Sequence, residues 1–390
     1  MTSYLSPVLS TFASNVSQIR LTRGKMQYLW SDRTRYLDLL GQHLTVSVGH
    51  AHPRVNKTVI KQINKLNHSS TIFSHEQSIK LSETLVKTLP HHPSGNQWVV
   101  HFVSSGSEAN DLAIQLATNY TNSDDVFALI NSYHGLLGLP LHATDHNGTA
   151  QSHRNKLINN IIHITPNQDY SYPSRSTLLL ESIQGYGGVM PLTKSFIENN
   201  TKNIQLSDGI VIMDEVQTGV WRTGTNFWGF QSHDIVPDII TCSKGIGNGF
   251  PLAATICHMD IANKFINKKF FSTHGGNPMM CAAGRATLRV IEEDNLNKNC
   301  YEMGILFKEG LKKLCQTYPD VYLDIRGSGL LLGLVVNKKL ATSLRQLIID
   351  HNIIIGMAGP DVFKIQPPMC INQNDVNYVL TTFKQIVSYL

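Results

Sequence analysis

A carboxylate and an amine, each closing an apolar run, carry most of the chemical capacity of this chain. Ile210 to Met213 is apolar and mostly β-branched, reads as a buried strand, and stops at Asp214-Glu215. Asp238 to Cys242 reads as a second strand and stops at Ser243-Lys244, ahead of the glycine-punctuated loop Gly245-Ile246-Gly247-Asn248-Gly249. In parallel α/β sheets the ligand sits beyond the carboxyl ends of the strands. One strand therefore delivers an acid to that edge and the next delivers an amine.

A lysine desolvated at a strand end can form a Schiff base with a carbonyl. An aspartate under a pyridine ring keeps the ring nitrogen protonated, so that the ring draws electrons; together these make a protein environment for pyridoxal 5'-phosphate (PLP). Gln217, three residues past Asp214, is placed to hydrogen-bond the ring hydroxyl oxygen. Either charged residue alone would read as an ordinary surface group.

The elements that must position these groups read from the same pattern. Trp98 to Val103 is strand-like and runs into Ser104-Ser105-Gly106-Ser107-Glu108-Ala109-Asn110. Ala109, Leu112, Ala113, Leu116 and Ala117 then mark one face of a helix. A strand, a small polar turn and a helix N-terminus aim free N–H groups and a positive dipole end at an anion. Gly106 and Ser107, with Ser105 beside them, are thus candidates for a phosphate cup, and capping by Ser105 or Ser107 is the plain alternative. Val126 to Ile130 is a further strand, followed by Tyr133 and His134; an aromatic there can stack on a planar ring. Thr177 to Leu180 is another strand, ending at Glu181.

The segments FVSSGSEAN, YHG, MDEVQTGV, PDIITCSKGIGNGFP and THGGNP, in that order, resemble those of class III PLP-dependent aminotransferases of fold type I. TVSVGHAHPRV, NFWGFQSHD and PPMCIN look most like the alanine–glyoxylate aminotransferase and phospholyase-like subgroup. The resemblance runs from about Tyr28 to the C-terminus. It implies an α/β fold: a large PLP-binding domain with a mainly parallel sheet over residues 56–290, a small α+β domain over 291–390, and an N-terminal segment, 1–55, joining the small domain. It implies that Lys244 and Asp214 are catalytic. Ser105, Gly106, Ser107, Tyr133, His134, Glu181, Asp214, Val216, Gln217, Lys244 and Thr273 would hold the cofactor, Tyr133 by stacking and His134 by buttressing its loop. Thr273 would reach a partner's phosphate site across a homodimer interface. Thr45 and Val46 would line the substrate pocket.

The sequence departs from the family pattern on the substrate side. Leu136 stands where relatives using 2-oxoglutarate commonly carry arginine, and it cannot make a bidentate carboxylate contact. Glu181-Ser182-Ile183-Gln184-Gly185-Tyr186-Gly187-Gly188 resembles the family's Glu-Pro-Ile-Gln-Gly-Glu-Gly-Gly, with Tyr186 replacing the second Glu. Lys364 replaces the arginine that this Glu pairs with. Tyr186 and Lys364 become substrate candidates. The expected reaction moves an amino group from alanine or a β- or ω-amino compound to an oxo-acid of pyruvate or glyoxylate type. The alternatives are a phospholyase acting on a phosphorylated amino alcohol, a racemase and a 2-oxoglutarate-dependent ω-aminotransferase. A non-catalytic binding protein would be expected to lose Lys244 or the phosphate loop, and a dinucleotide site would need GxGxxG spacing that the 245–249 loop lacks.

Composition sets the outer limits. The 390 residues are 42% hydrophobic and 16% charged, with formal charge +5, and Lys and Arg are scattered rather than blocked together. That describes a solvated surface, with no nucleic-acid face and no membrane span expected. The six cysteines have no CxxC spacing and read as buried free thiols. No metal site is expected: His50 and His52 lack a third ligand nearby. Met1 to Asn15 is Ser-rich but lacks Arg, so the expected compartment is the cytoplasm. Helices are expected over Pro53 to Leu66, Glu76 to Leu89, Asn297 to Cys315, Leu340 to His351 and from Gln373, with a turn at Arg326-Gly327-Ser328-Gly329.

Overall fold

The computed structural model describes residues 19–93, 95, 97–146 and 160–390; Met1 to Asn15 lies outside them. Its centre is a seven-stranded sheet in the order Trp98–Val103, Ala253–His258, Ile239–Cys242, Ile210–Asp214, Thr177–Leu180, Val126–Leu129, Ile161–Ile164. Ala253–His258 runs antiparallel to both neighbours, and the other pairings are parallel. The apolar runs behave as strands covered on both faces should. Val126–Leu129, Thr177–Leu180, Ile210–Asp214 and Ile239–Cys242 are buried at every position.

Side chains alternate between two cores with the period of two that a strand imposes. Leu179, Ile210 and Ile212 face one core with Ala109, Leu112, Ala113 and Leu116 of the helix Gly106–Thr121. Leu178, Leu180, Val211 and Met213 face the larger core, which takes in Phe196, Ile197 and Ile204 of the helix Lys194–Leu206. The helix Pro278–Glu293 joins that core too and packs against Pro53–Lys65 and Glu76–Val86. The sequence reading anticipates neither Lys194–Leu206 nor Pro278–Glu293. Within Glu76–Val86, Leu81 and Leu85 are buried, whereas Ile79, periodic in sequence, is 48% exposed.

Residues beyond the sheet form an antiparallel layer, Tyr322–Ser328, Leu331–Val336, Val362–Ile365, Gly356–Met357. Leu296–Thr317 and Gln373–Gln385 cover it through Phe307, Leu311, Val376, Val379 and Phe383. Asn372 caps the last helix: its side chain accepts from Asp375 N, and Asp375 reaches back to the Asn372 N–H. The hairpin Tyr28–Ser31 and Thr34–Asp38 pairs in parallel with Ile353–Ile354, so segments far apart in the chain share one sheet.

One expectation is corrected. Arg326, Gly327 and Ser328 are not a turn; they belong to the strand Tyr322–Ser328, with Arg326 opposite Gly333 and Gly327 opposite Leu332. Turn-like composition loses to the ladder because glycine suits this strand for a different reason. Gly327 has φ +94°, and a Cβ there would lie 2.1 Å from Leu331 O. Only Gly329 and Leu330 turn the chain between the paired strands.

All six cysteines are free. Among the described residues no helix is long and apolar enough to cross a membrane.

Gly304 shows how tightly the two layers meet. An added Cβ would lie 2.5 Å from Gly329 O and 2.6 Å from Gly329 C. Gly304→Ala gains at most about 1 kcal/mol of helix propensity. Overpacking against backbone costs about 1–3 kcal/mol, so the clash wins. Urea unfolding is expected to show a lower midpoint for Gly304→Ala; an unchanged or higher midpoint would contradict this packing.

Candidate active site

Three strand ends and one helix meet at a buried carboxylate. Asp214, last residue of its strand, is 4% exposed. Its Oδ2 accepts from Asn110 Nδ2 at 2.7 Å and lies 2.7 Å from His134 Nδ1, while Oδ1 accepts from Val216 N at 3.0 Å. Asn110, on the first turns of Gly106–Thr121, also donates to His134 O at 2.8 Å and accepts from Thr241 Oγ1 at 2.7 Å. Thr241 belongs to the strand that delivers Lys244. The sequence reading made His134 a loop buttress; the structure adds that its ring holds the acid in place. It did not single out Asn110. The signal was available: asparagine disfavours a helix interior unless its amide has a partner, and Asn110 falls on the buried face.

Lys244 follows the neighbouring strand with φ +46°, a left-handed conformation that costs a non-glycine residue about 1–3 kcal/mol and gathers at functional sites. Burial pulls its amine below the ordinary lysine range, against the opposing pull of Asp214 and Glu181. The downstream loop is fixed to the loop at 45–49: Ser47 Oγ donates to Gly245 O at 2.5 Å, Val48 N to Asn248 Oδ1 at 2.9 Å, and Asn248 Nδ2 to Gly49 O at 3.0 Å.

Glu181 closes the third strand. Its carboxylate accepts from Tyr133 N and from Gly185 N, each at 3.1 Å, so one side chain places both flanking loops. Burial pushes it up to about 7. A Cβ at Gly185 would lie 2.3 Å from Gln217 Oε1, which explains glycine there. Glu215, beside Asp214, plays a different part: its buried carboxylate accepts from Ser182 Oγ, Thr218 Oγ1, Gly229 N and Phe230 N. The serine replacing the family's proline thus helps orient the carboxylate that holds the NFWGFQSHD turn.

On the open side Tyr186 and Lys364 meet. Lys364 Nζ lies 4.1 Å from the Tyr186 ring centroid and donates to Gln217 Oε1 at 3.3 Å. Lys364 is 2% exposed, and burial, with the Lys244 charge nearby, pulls it down to about 7. Tyr186 lies against Tyr133 with centroids 4.5 Å apart, and against His146 at 5.5 Å. Its hydroxyl is 3.2 Å from His43 Nδ1. His43 and His146 were missed. His43 comes forward on a left-handed run, Gly41 to Leu44, which Asp38 stabilises by accepting from Leu40 N and Gly41 N at 3.0 Å each.

The remaining candidates divide. Ser105 caps the helix by accepting from Glu108 N at 3.2 Å, the plain alternative for that residue. Gly106 abuts Val216, its Cβ position 3.1 Å from Val216 Cγ1, and the Ser107 hydroxyl abuts Gly135. Thr45 donates to Gln42 O at 2.6 Å, and Val46 is buried beside Gly249. Thr273 is exposed, next to Ser272 in the loop that lines a surface hollow with Ile72 and Phe73.

Residues 11–387 match the family Aminotransferase class-III. The chain belongs to the class III aminotransferases. The aminotransferase is 35% identical to the alanine–glyoxylate aminotransferase 2 homolog 2, mitochondrial, of Arabidopsis thaliana, over 97% of this chain and 84% of that protein. It is 33% identical to the human alanine–glyoxylate aminotransferase 2, mitochondrial, over 99% and 84%. Among solved structures it resembles a Bacillus anthracis aminotransferase, with TM-score 0.85, 26% identity and 97% and 94% coverage. Class III aminotransferases depend on PLP. The residues present fit that cofactor. Among the described residues Asp214 Oδ1 accepts one hydrogen bond, from Val216 N, which leaves a lone pair for a protonated ring nitrogen, and the Lys244 amine is depressed toward the neutral, nucleophilic form.

Two variants separate chemistry from positioning. Lys244→Ala is expected to leave no borohydride-reducible link between PLP and the chain, and to lower turnover about 10²–10⁴-fold. Turnover at the wild-type rate would remove Lys244 from the reaction. Asn110→Ala strips one donor from Asp214 and leaves Thr241 unpaired, a loss of about 1–3 kcal/mol. The readout is retention of PLP absorbance on dialysis, which should drop while the far-ultraviolet circular dichroism stays unchanged.

Proposed function

We propose that this aminotransferase moves the amino group of alanine, or of a β- or ω-amino compound, to a small monocarboxylic oxo-acid such as pyruvate or glyoxylate. The observation that carries the reading is the pair Lys364 and Tyr186: one buried cation, held by an aromatic face and Gln217, with no bidentate arginine at either position. A single ammonium is a point charge suited to one carboxylate, and position 136 is leucine. The names of the Arabidopsis and human relatives support the same substrate pair.

When bound, PLP supplies an electron sink that acidifies the carbon bearing the substrate's amine. Asp214, fixed by Asn110, His134 and Val216 N, would keep the proton on the ring nitrogen. Lys244, depressed by burial, would take a proton from the donor carbon and return it, as a general base and acid. Tyr133, Gln217, Gly106 and Ser107 would hold ring and phosphate. Lys364 would orient the substrate carboxylate. A second copy of the chain would bring Thr273 to the phosphate; the exposed Ile72, Phe73 and Phe271 near Thr273 are apolar surface that such a copy would cover.

A second reading, a phospholyase acting on a phosphorylated amino alcohol, draws on the gathering of Lys364, His43 and His146 around Tyr186. Adding alanine, glutamate, β-alanine and phosphoethanolamine in turn distinguishes them. Alanine or β-alanine should discharge the PLP absorbance with pyruvate or glyoxylate restoring it. Inorganic phosphate released from phosphoethanolamine, without the amine form of the cofactor, would favour the lyase.

The depressed Lys364 makes a further prediction. A lysine lowered to about 7 is charged below that pH and neutral above it. The KM for pyruvate, which does not itself titrate in this range, should therefore rise as pH climbs through about 7. Lys364→Arg, always charged, should flatten that rise. A flat wild-type profile would show that Lys364 does not hold the carboxylate.

A further inference from the structure

At the opposite edge of the central sheet, His92, Asp238 and His258 bring one ligand atom each to within 4.8 Å of one another. We propose that this cluster is a binding site for a divalent transition-metal ion of the zinc type. It joins three separated segments. His92 opens a turn closed by Gly95 N donating to His92 O at 2.9 Å. Asp238 immediately precedes the strand Ile239–Cys242, and His258 ends the antiparallel strand beside it. Lys244 leaves the other end of the Asp238 strand, roughly 20 Å away at about 3.3 Å per residue, so the cluster is distinct from the PLP site.

Spacing is the first argument. His92 Nε2 and His258 Nε2 lie 3.6 and 3.7 Å from the same oxygen, Asp238 Oδ1. Both separations are too long for hydrogen bonds. They are close to the ligand–ligand edge, about 3.4 Å, of a tetrahedron drawn around an ion bonded at ~2.0–2.1 Å. Orientation is the second. Asp238 Oδ2 already accepts from Val211 N at 2.8 Å, which turns Oδ1 toward the two imidazoles. Such a supporting contact is what a metal-binding carboxylate normally has.

The setting is the third. The three side chains are 9%, 10% and 5% exposed. Trp98 stands edge-on to both rings, at 5.5 Å from His92 and 6.4 Å from His258, and Tyr120 stands at 6.3 Å from His258. Two imidazoles and one carboxylate suit zinc by ligand type, with water completing the coordination. The ion would tie the turn that follows the helix Glu76–Val86 to the edge of the sheet, a structural role.

The experiment uses the PLP-loaded protein, dialysed against a chelator and then titrated with Zn²⁺ and, separately, with Co²⁺ as a spectroscopic stand-in. The wild type should take up about one tightly held ion per chain, gain thermal stability with Zn²⁺, and show the visible d–d absorption of tetrahedral Co²⁺. His92→Ala, altered in a turn outside the sheet, should fold, retain transaminase activity and bind at least about a hundredfold more weakly. His258→Gln should do the same, and the wild-type Co²⁺ spectrum stands even if a variant fails to fold. Equal metal uptake by wild type and His92→Ala, or a wild type whose stability and spectrum ignore added metal, would overturn the proposal and leave a buried His–Asp–His contact.

Discussion

The site depends on one buried acid. Asp214 is buried, and donors from Asn110, His134 and the Val216 backbone surround it; a buried carboxylate without such partners is costly. Those donors come from the helix Gly106–Thr121, the loop after Val126–Leu129 and the strand end itself. Satisfying the acid therefore fixes the relative placement of elements that also carry the phosphate-cup candidates and Tyr133. Thr241 extends the network to the next strand through Asn110, and so to the lysine.

Glu181 and Glu215 show the same economy with different purposes. Glu181 holds two loops by their N–H groups and is raised toward neutrality by burial. Glu215 has no open face and fixes the Trp228–Ser232 turn. Four titratable groups, Lys244, Lys364, Asp214 and Glu181, influence one another electrostatically in a poorly solvated space. A reaction that shifts protons between carbon and nitrogen benefits from such a poised set. The replacement of an expected Glu–Arg pair by Tyr186 and Lys364 keeps a contact between the two positions but changes its nature, from ion pair to cation on an aromatic face.

Much of the fold was legible because its strands are short, apolar and terminated by polar residues. Trp98–Val103, Thr177–Leu180 and Ile210–Asp214 needed nothing more. The helices Lys194–Leu206 and Pro278–Glu293 were not legible. The first buries a single stripe, Phe196, Ile197, Asn200, Thr201 and Ile204, but Asn200 and Thr201 interrupt its apolar pattern, and the second is buried over most of its circumference, so in neither does an apolar stripe stand out in the sequence. At Arg326–Ser328 local composition pointed to a turn, and pairing with Leu331–Gly333 decided otherwise.

The sequence by itself determined which residues stand at strand ends, and with them the positions of the acid Asp214, the amine Lys244, the small polar turn at Ser104 to Ser107 and Tyr133. Placing them needs only a period of two, a period of 3.6 and the residue where each run stops; stacking by Tyr133 is what the resemblance to the class III aminotransferases implies. The tertiary structure alone decided which distant groups meet: Asn110 with Asp214, His43 with Tyr186, Lys364 with Gln217, and His92 and His258 with Asp238. The reason is geometric. Contacts across the sheet edge depend on strand order and on loop conformations such as the left-handed run at Gly41 to Leu44, and neither leaves a periodic mark on the chain.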